Sequence, residues 1–260
     1  MRDLHPNLGA NAWGRRKFVY ALCAVLVAGS GLSIVSLVGL GVIPATPVDV
    51  YFSWFIFFVL WLPFIALVDN PGETRTRVEA WAEFGFVWLL VSGIAQTCWE
   101  LPWFFLDLTG LVHHINEADG WLWTWWSYGG ADTRYITSNP TIAGLEFCAG
   151  FSGPVEIYAW WRYVNAKNTQ DKIVASWIAL IIGVGLTYLT GTFFVAEWRV
   201  GWSNIQQGVT GFWLKFVGLN LPWLVAPVFA IPAAIWELSH RYRIEGYEAA
   251  LAKHGIREAS

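Results

Sequence analysis

Six long apolar runs separated by short polar segments set the pattern of this chain, at roughly 17 to 43, 48 to 68, 81 to 109, 139 to 161, 172 to 196 and 209 to 239. Each approaches or exceeds the ~20 residues a helix needs to cross the hydrocarbon core of a bilayer, and the longer ones accommodate tilt. The pattern predicts an all-α polytopic membrane bundle of about six transmembrane helices. The first run lacks the short apolar core and small-residue cleavage site of a removable signal, so it reads as a retained span. The fourth run departs from pure apolarity in an informative way. Asn139 and Pro140 read as an N-cap and a first-turn proline, which puts Glu146 about six residues, or ~10 Å, inside the helix. Ala143, Gly150 and Gly153 share a face with Glu146, and these small residues let a partner helix or a ligand come close to the acid.

Composition agrees with a membrane protein: 56% of the 260 residues are hydrophobic and 13% charged, far from the average soluble domain. The formal charge of −3 and the lack of a basic stripe with interleaved aromatics argue against nucleic acid. Cys23, Cys98 and Cys148 fall in apolar runs without metal-ligand or CxxC spacing, and His113, His114, Glu117 and Asp119 match no closed zinc pattern, so no metal is expected. Trp121, Trp123, Trp125, Trp126, Trp198 and Trp202 lie near helix ends, where indoles sit at membrane interfaces. Of the sixteen Lys and Arg, thirteen fall in the two termini and the alternate loops at 69 to 80 and 162 to 172. That places both termini in the cytoplasm by the positive-inside rule. Lys215, inside the last run, can snorkel outward, and Glu197 reads as a solvated helix end. Asp132 and Arg134 read as a pair, or as shaping a lid over the site, in the long loop from 110 to 138.

The candidate chemistry lies in the polar residues that the apolar runs retain. Glu100, Glu146 and Asn220 fall on three helices at inferred depths of about 13, 10 and 16 Å, and intramembrane ionisable groups face a bundle interior. A carboxyl kept from water favours its neutral form, so one acid can hold a proton for donation while the other accepts one. The spacing Gln96, Glu100, Trp103 puts these three on one helical face. Trp103 and Trp223 offer π-faces to a cation, and Tyr188 lies about nine residues from an end of the fifth run. Glu156 is deeper and reads as structural or accessory. An ion or proton transporter is the weaker alternative, because no polar track continues beyond Glu156.

The motif WTWWSYGGADTRYI, followed by Glu146 eleven residues after Tyr135, then Gly153 and Pro154, resembles the emopamil-binding protein family. This is the EXPERA superfamily of sterol Δ8,Δ7 isomerases and sigma-2-receptor-like proteins. FFVAEWRVGW and FVGLNLPWLVAP match its last two helices in order, so the resemblance spans roughly 85 to 240. It implies a five-helix EXPERA-like core plus one extra N-terminal span, with a cytoplasmic segment and two spans at 1 to 80, the catalytic and ligand-binding membrane core at 81 to 240, and a cytoplasmic tail at 241 to 260. It also implies a cofactor-independent isomerase of the endoplasmic reticulum. Such an enzyme would protonate a sterol or terpenoid alkene to a carbocation, then remove a neighbouring proton.

Carried over, Glu100, Glu146 and Asn220 are the catalytic candidates, with Gln96, Trp103, Tyr188 and Trp223 binding substrate. Gln96 stands where sterol isomerases have a histidine one turn before the first acid, and the interval from Glu146 to Gly153 is one residue shorter. Glutamine cannot shuttle a proton, so the relay is altered, and a terpenoid cyclase of secondary metabolism becomes the close variant. A non-catalytic sterol- or lipid-binding relative is the other alternative. The oligomeric state stays open, a homodimer included.

Overall fold

The computed structural model describes residues 21–69 and 75–253. Its main helices, in chain order, are α1 (Ala21–Gly39), α2 (Ala45–Leu67), α3 (Arg77–Leu108), α4 (Trp123–Ala131), α5 (Pro140–Val164), α6 (Thr169–Arg199) and α7 (Val209–Lys253). Five of these, α1, α2, α3, α6 and α7, are long and apolar enough to span a bilayer, and the protein is an integral-membrane helical bundle. The sixth expected span, α5, has 25 residues, which is ~37 Å at helical rise. Glu146, Glu156 and Arg162 dilute its apolarity, and it packs between α3 and α6. The basic residues Arg2, Arg15, Arg16 and Lys17 and the end of the tail lie outside the described residues. The described part of the tail is an extension of α7, whose α-helical part runs unbroken from Pro222 to Lys253.

Local chemistry sets where the two central helices begin. Thr76 caps α3 through a reciprocal box: its Oγ1 accepts from Glu79 N (3.2 Å), and Glu79 Oε2 accepts from Thr76 N (2.8 Å). Asn139 caps α5, its Oδ1 accepting from the amides of Thr141 (2.9 Å) and Ile142 (3.4 Å), and Pro140 occupies the first turn as expected.

The two helices then meet backbone to backbone. A Cβ on Gly150 would lie 2.8 Å from Leu101 Cα, and one on Gly153 would lie 2.6 Å from Thr97 Oγ1 and 2.9 Å from Gly93 O. Since lipid gives helices no hydrophobic reason to associate, this close small-residue contact is what seats α5 on α3. It brings the Glu146 helix against the turn that carries Glu100.

Two of the stretches that depart from α-helical winding matter for the site. Residues Gln96–Glu100 of α3 and Val209–Gly218 of α7 are π-helical, a form that inserts an extra residue per turn and rotates everything after it.

The loop before α5 is clasped to the bundle by Arg134. Its Nε and Nη2 donate to Asp132 Oδ1 (2.9 Å) and Oδ2 (2.6 Å), Nε lies 3.2 Å from Glu197 Oε1, and the guanidinium sits 4.4 Å from the Phe193 ring centre. Glu197 also accepts from Asn204 Nδ2 (2.8 Å). The anticipated pairing of Asp132 with Arg134 is present. Glu197 is not a solvated helix end: it is buried, because Arg134 and Asn204 reach it from two loops.

Two substitutions test these contacts. Gly150→Val should destabilise the bundle by at least ~2 kcal/mol, since Leu101 backbone cannot move aside, whereas Gly144→Ala, with open space around it, should leave thermal unfolding in detergent unchanged. Arg134→Met should cost about 3–5 kcal/mol by stranding buried Asp132 and Glu197, read as a lowered Tm.

Candidate active site

The seat of α5 on α3 and the last helix bring Gln96, Glu100, Glu146, Asn220 and Trp223 to one small space. They line a pocket of about 40 Å³, closed on the α6 side by Leu186, Leu189, Thr190 and Phe193. This is room for water-sized groups only. Beside it lies a cavity of about 430 Å³, within the usual size of small-molecule sites. Glu100, Asn220 and Trp223 line both spaces, so they stand at the junction. The larger cavity is walled by apolar residues of α1 and α2, including Val27, Leu32, Val35 and Phe52, and by Trp99, Trp121, Trp123, Trp125, Tyr128 and Tyr135.

The two acids have different surroundings. Tyr135 Oη donates to Glu146 Oε1, and burial pushes the Tyr135 hydroxyl well above the ordinary tyrosine range, the nearby Glu146 charge adding to it. Tyr135 therefore stays protonated and supports the ionised form of Glu146. Glu100 carries no hydrogen bond to any described residue, and its Oε2 is buried without a partner. Glu100 therefore has none of the hydrogen bonding that Tyr135 gives Glu146. Asn220 Nδ2 donates to Tyr128 Oη (2.7 Å) and to Phe216 O (2.7 Å), which fixes its amide oxygen as the group left to act as an acceptor.

Gln96 is 1% exposed and ties three helices together. Its amide nitrogen faces Ser152 Oγ (2.6 Å), Ala149 O (2.7 Å) and Glu156 Oε1, and its oxygen faces Trp223 Nε1 (3.0 Å) and Ser92 Oγ (3.3 Å), the orientation in which each end meets its opposite. Trp223 Nε1 also donates to Ser92 Oγ (2.9 Å). Glu156, fully buried, accepts from Ser152 Oγ (2.7 Å). Gln96 thus orients the indole of Trp223 at the cavity junction.

Several expectations need correction. Tyr188 is 75% exposed on the outer face of α6 and does not line the site. Trp103 is fully buried but packs edge-on against Tyr135 (5.0 Å between ring centres) and donates to Tyr135 O (3.1 Å). It supports the tyrosine instead of facing the cavity, because the π-turn at Gln96–Glu100 rotates it off the face that an α-helix would give it. Trp99 takes that place, with Tyr128 and Tyr135 packed edge-on to each other (4.8 Å) beside it. Trp123 and Trp125 line the cavity instead of an interfacial belt. Lys215 does not snorkel: it is buried and bonded to Asp49 and Ser127. Tyr135 and Asp49 were not anticipated. Tyr135 lay inside the recognised motif but in a segment read as loop, and Asp49 sits at the very start of the second run, where a carboxylate reads as an interface residue. A buried Lys215 with no assigned partner was the signal that could have found it.

Residues 120–232 match the EBP family, EXPERA (EXPanded EBP superfamily). That stretch carries Tyr135, Glu146, Asn220 and Trp223. Among curated proteins the chain is 30% identical to the 3-beta-hydroxysteroid-Delta(8),Delta(7)-isomerase of Rattus norvegicus over 118 residues, 45% of this chain and 49% of the relative. It is 28% identical to the mouse (Mus musculus) isomerase of the same name over 180 residues, 67% of this chain and 70% of the relative. It is 24% identical to protoglabretal synthase MOI1 of Citrus sinensis over 180 residues, 60% of this chain and 79% of the relative. The chain spans about half the length of the rat relative it matches. Residues 120–232, less than half of the chain, are thus similar to the EBP family of the EXPERA superfamily, and the two isomerases are similar to the chain over about half to two thirds of its length.

Proposed function

We propose that this protein is a membrane isomerase that moves a double bond in a sterol or terpenoid by acid–base catalysis, with Glu100 as proton donor and Glu146 as acceptor. The carrying observation is the asymmetry of the two acids at one junction. Glu146 is hydrogen-bonded by Tyr135 in the manner of a carboxylate, and Glu100 is unbonded and borders the larger cavity. In the step itself the alkene π-electrons take the Glu100 proton at one carbon, leaving a carbocation on its neighbour. Glu146, which lines only the small pocket, then takes a proton from the adjacent carbon through a water admitted to that pocket, and that C–H electron pair becomes the new double bond. No electrons are gained or lost, and the proton passes back from Glu146 to Glu100 through the pocket both acids line. The faces of Trp99, Tyr128 and Trp223 and the Asn220 amide oxygen stabilise the cation between the two transfers. The names of the two isomerases and of the synthase among the relatives support a sterol or terpenoid substrate.

A cyclising variant, in which an internal alkene captures the cation and closes a ring, fits the same groups, and Gln96 in place of histidine favours it. By the same family reading we place the protein in the endoplasmic reticulum with both termini cytoplasmic, and residues 81–240 as the catalytic core.

The test is expression in cells lacking sterol Δ8,Δ7 isomerase, with extracted sterols read by mass spectrometry. Restored Δ7 sterols would support sterol isomerisation, and a well-expressed protein that restores none sets the sterol aside. On whichever substrate is turned over, Glu100→Gln and Glu146→Gln should each lower the rate by about 10²–10⁴-fold while ligand binding persists. Unchanged product profiles in both would sink the enzyme reading and leave a binding protein. Tyr135→Phe should lower the rate at least ~10-fold without loss of expression, since it removes one hydrogen bond to a charged group, and Tyr188→Phe should leave it unaltered.

A further inference from the structure

The double-bond chemistry leaves one region of the larger cavity without a role. Near the starts of α2 and α7, Lys215 Nζ donates to Asp49 Oδ2 (2.9 Å), Ser127 Oγ (2.7 Å) and Ser127 O (3.1 Å), and Ser127 Oγ donates to Asp49 Oδ2 (3.2 Å). All three residues are buried and all three line the cavity, among apolar and aromatic side chains. A charged pair set into an apolar wall is costly unless it is paired and fully bonded. Here the three ammonium protons are all used, and the Lys215 charge is balanced by Asp49.

What remains on offer to a ligand is specific. Both hydrogen bonds to Asp49 fall on Oδ2, so Oδ1 keeps its acceptor capacity. An anionic ligand would meet the Asp49 charge with no lysine proton left to bind it. A hydroxyl, which is neutral and a donor, complements the site, and a hydrogen bond to an ionised acceptor is about twice as strong as one between neutral groups.

The winding of α7 relates this site to the acids. In an α-helix, residues five apart are turned by about 140° from one another. The π-helical winding of Val209–Gly218, with its extra residue per turn, reduces that angle, and Lys215 and, two residues beyond the stretch, Asn220 both face the cavity, ~7 Å apart along the axis. The polar cluster therefore lies nearer the membrane surface than the Glu100 junction, as the polar end of an amphiphile does.

We propose that Asp49, held by Lys215 and Ser127, binds the hydroxyl group of a sterol-sized, otherwise apolar substrate and so sets which carbons reach Glu100. The inference rests on the reading of the larger cavity as the substrate site. It gives α2, which lies outside the matched residues 120–232, a part in substrate selection.

The test compares a Δ8-unsaturated 3β-hydroxysteroid with its 3-O-methyl ether, binding each to the purified full chain and following quenching of the cavity tryptophans. The wild-type protein should bind the free alcohol about tenfold more tightly than the ether. Asp49→Leu/Lys215→Met, which replaces the pair by apolar residues of similar bulk, should bind both equally, at the wild-type affinity for the ether. Asp49→Asn, which keeps the shape and removes the charge, should cut the preference at least ~3-fold and decides the matter if the double variant does not fold. A preference that persists in these variants, a wild-type protein that does not distinguish the two steroids, or one that binds neither overturns the proposal. Conversion to the Δ7 isomer is measured in parallel. Preferential binding without conversion keeps the hydroxyl site and sets aside the reaction. Conversion with an unaltered alcohol-to-ether ratio in the variants keeps the reaction and sets aside the hydroxyl site.

Discussion

A polar side chain inside a membrane bundle has no water to turn to, so it must find its partner in the protein. That constraint organises this molecule. Glu146 is answered by Tyr135, Glu156 by Ser152 and Gln96, Glu197 by Arg134 and Asn204, and Lys215 by Asp49 and Ser127. The pairings of Glu156 with Gln96, Glu197 with Arg134, and Lys215 with Asp49 and Ser127 join segments far apart in the chain. Apolar contacts between helices discriminate poorly in lipid, where tails are as apolar as leucine. The register of the bundle is accordingly carried by these polar pairs together with the glycine contact of α5 on α3. Glu100, a carboxyl without a hydrogen bond, stands apart from these pairs at the junction of two spaces, where our reading gives it the proton to donate.

The helices supply that junction through departures from regular winding. Gln96–Glu100 and Val209–Gly218 are π-helical stretches beside the site, and each carries or closely precedes a candidate group. In α3 the extra residue moves Trp99 toward the cavity and Trp103 behind Tyr135. In α7 it lets Lys215, within the stretch, and Asn220, two residues beyond it, both reach the cavity. A regular α-helix at either place would keep the acid or the amide but lose the aromatic wall or the second polar contact.

Much of this was legible in the chain. Run lengths set the helices, Asn139–Pro140 marked the start of α5, and the inferred depths of Glu100, Glu146 and Asn220 anticipated residues that the fold brings to one pocket. The small face of Gly150 and Gly153 was readable as a contact, though the partner turn was not. What escaped had a common physical origin. A helical wheel assumes 100° per residue, so it misplaced Trp103, and Tyr188 was judged by depth without a test of which way its face turned. Tyr135 and Asp49 escaped because their burial depends on segments far away in sequence: a residue in a loop, or at the first turn of a span, shows no local sign of being covered. Lys215 was read as able to reach water, when its nearest charged partner was supplied by α2.

Gln96 then takes on a different meaning from a lost histidine. Its amide cannot pass a proton, and its oxygen and nitrogen are committed to Trp223 and Ser92 on one side and to Ser152, Ala149 and Glu156 on the other. What it can do is hold the Trp223 indole in one plane at the cavity junction, where a cation would form. The return of the proton needs a different path, and the pocket of about 40 Å³ between Glu100 and Glu146 is large enough to admit a water. In our reading the aromatic wall gains rigidity from glutamine while proton return shifts to that pocket. A site of this kind tolerates a longer-lived cation, which is the property a ring closure needs more than a simple shift of a double bond does.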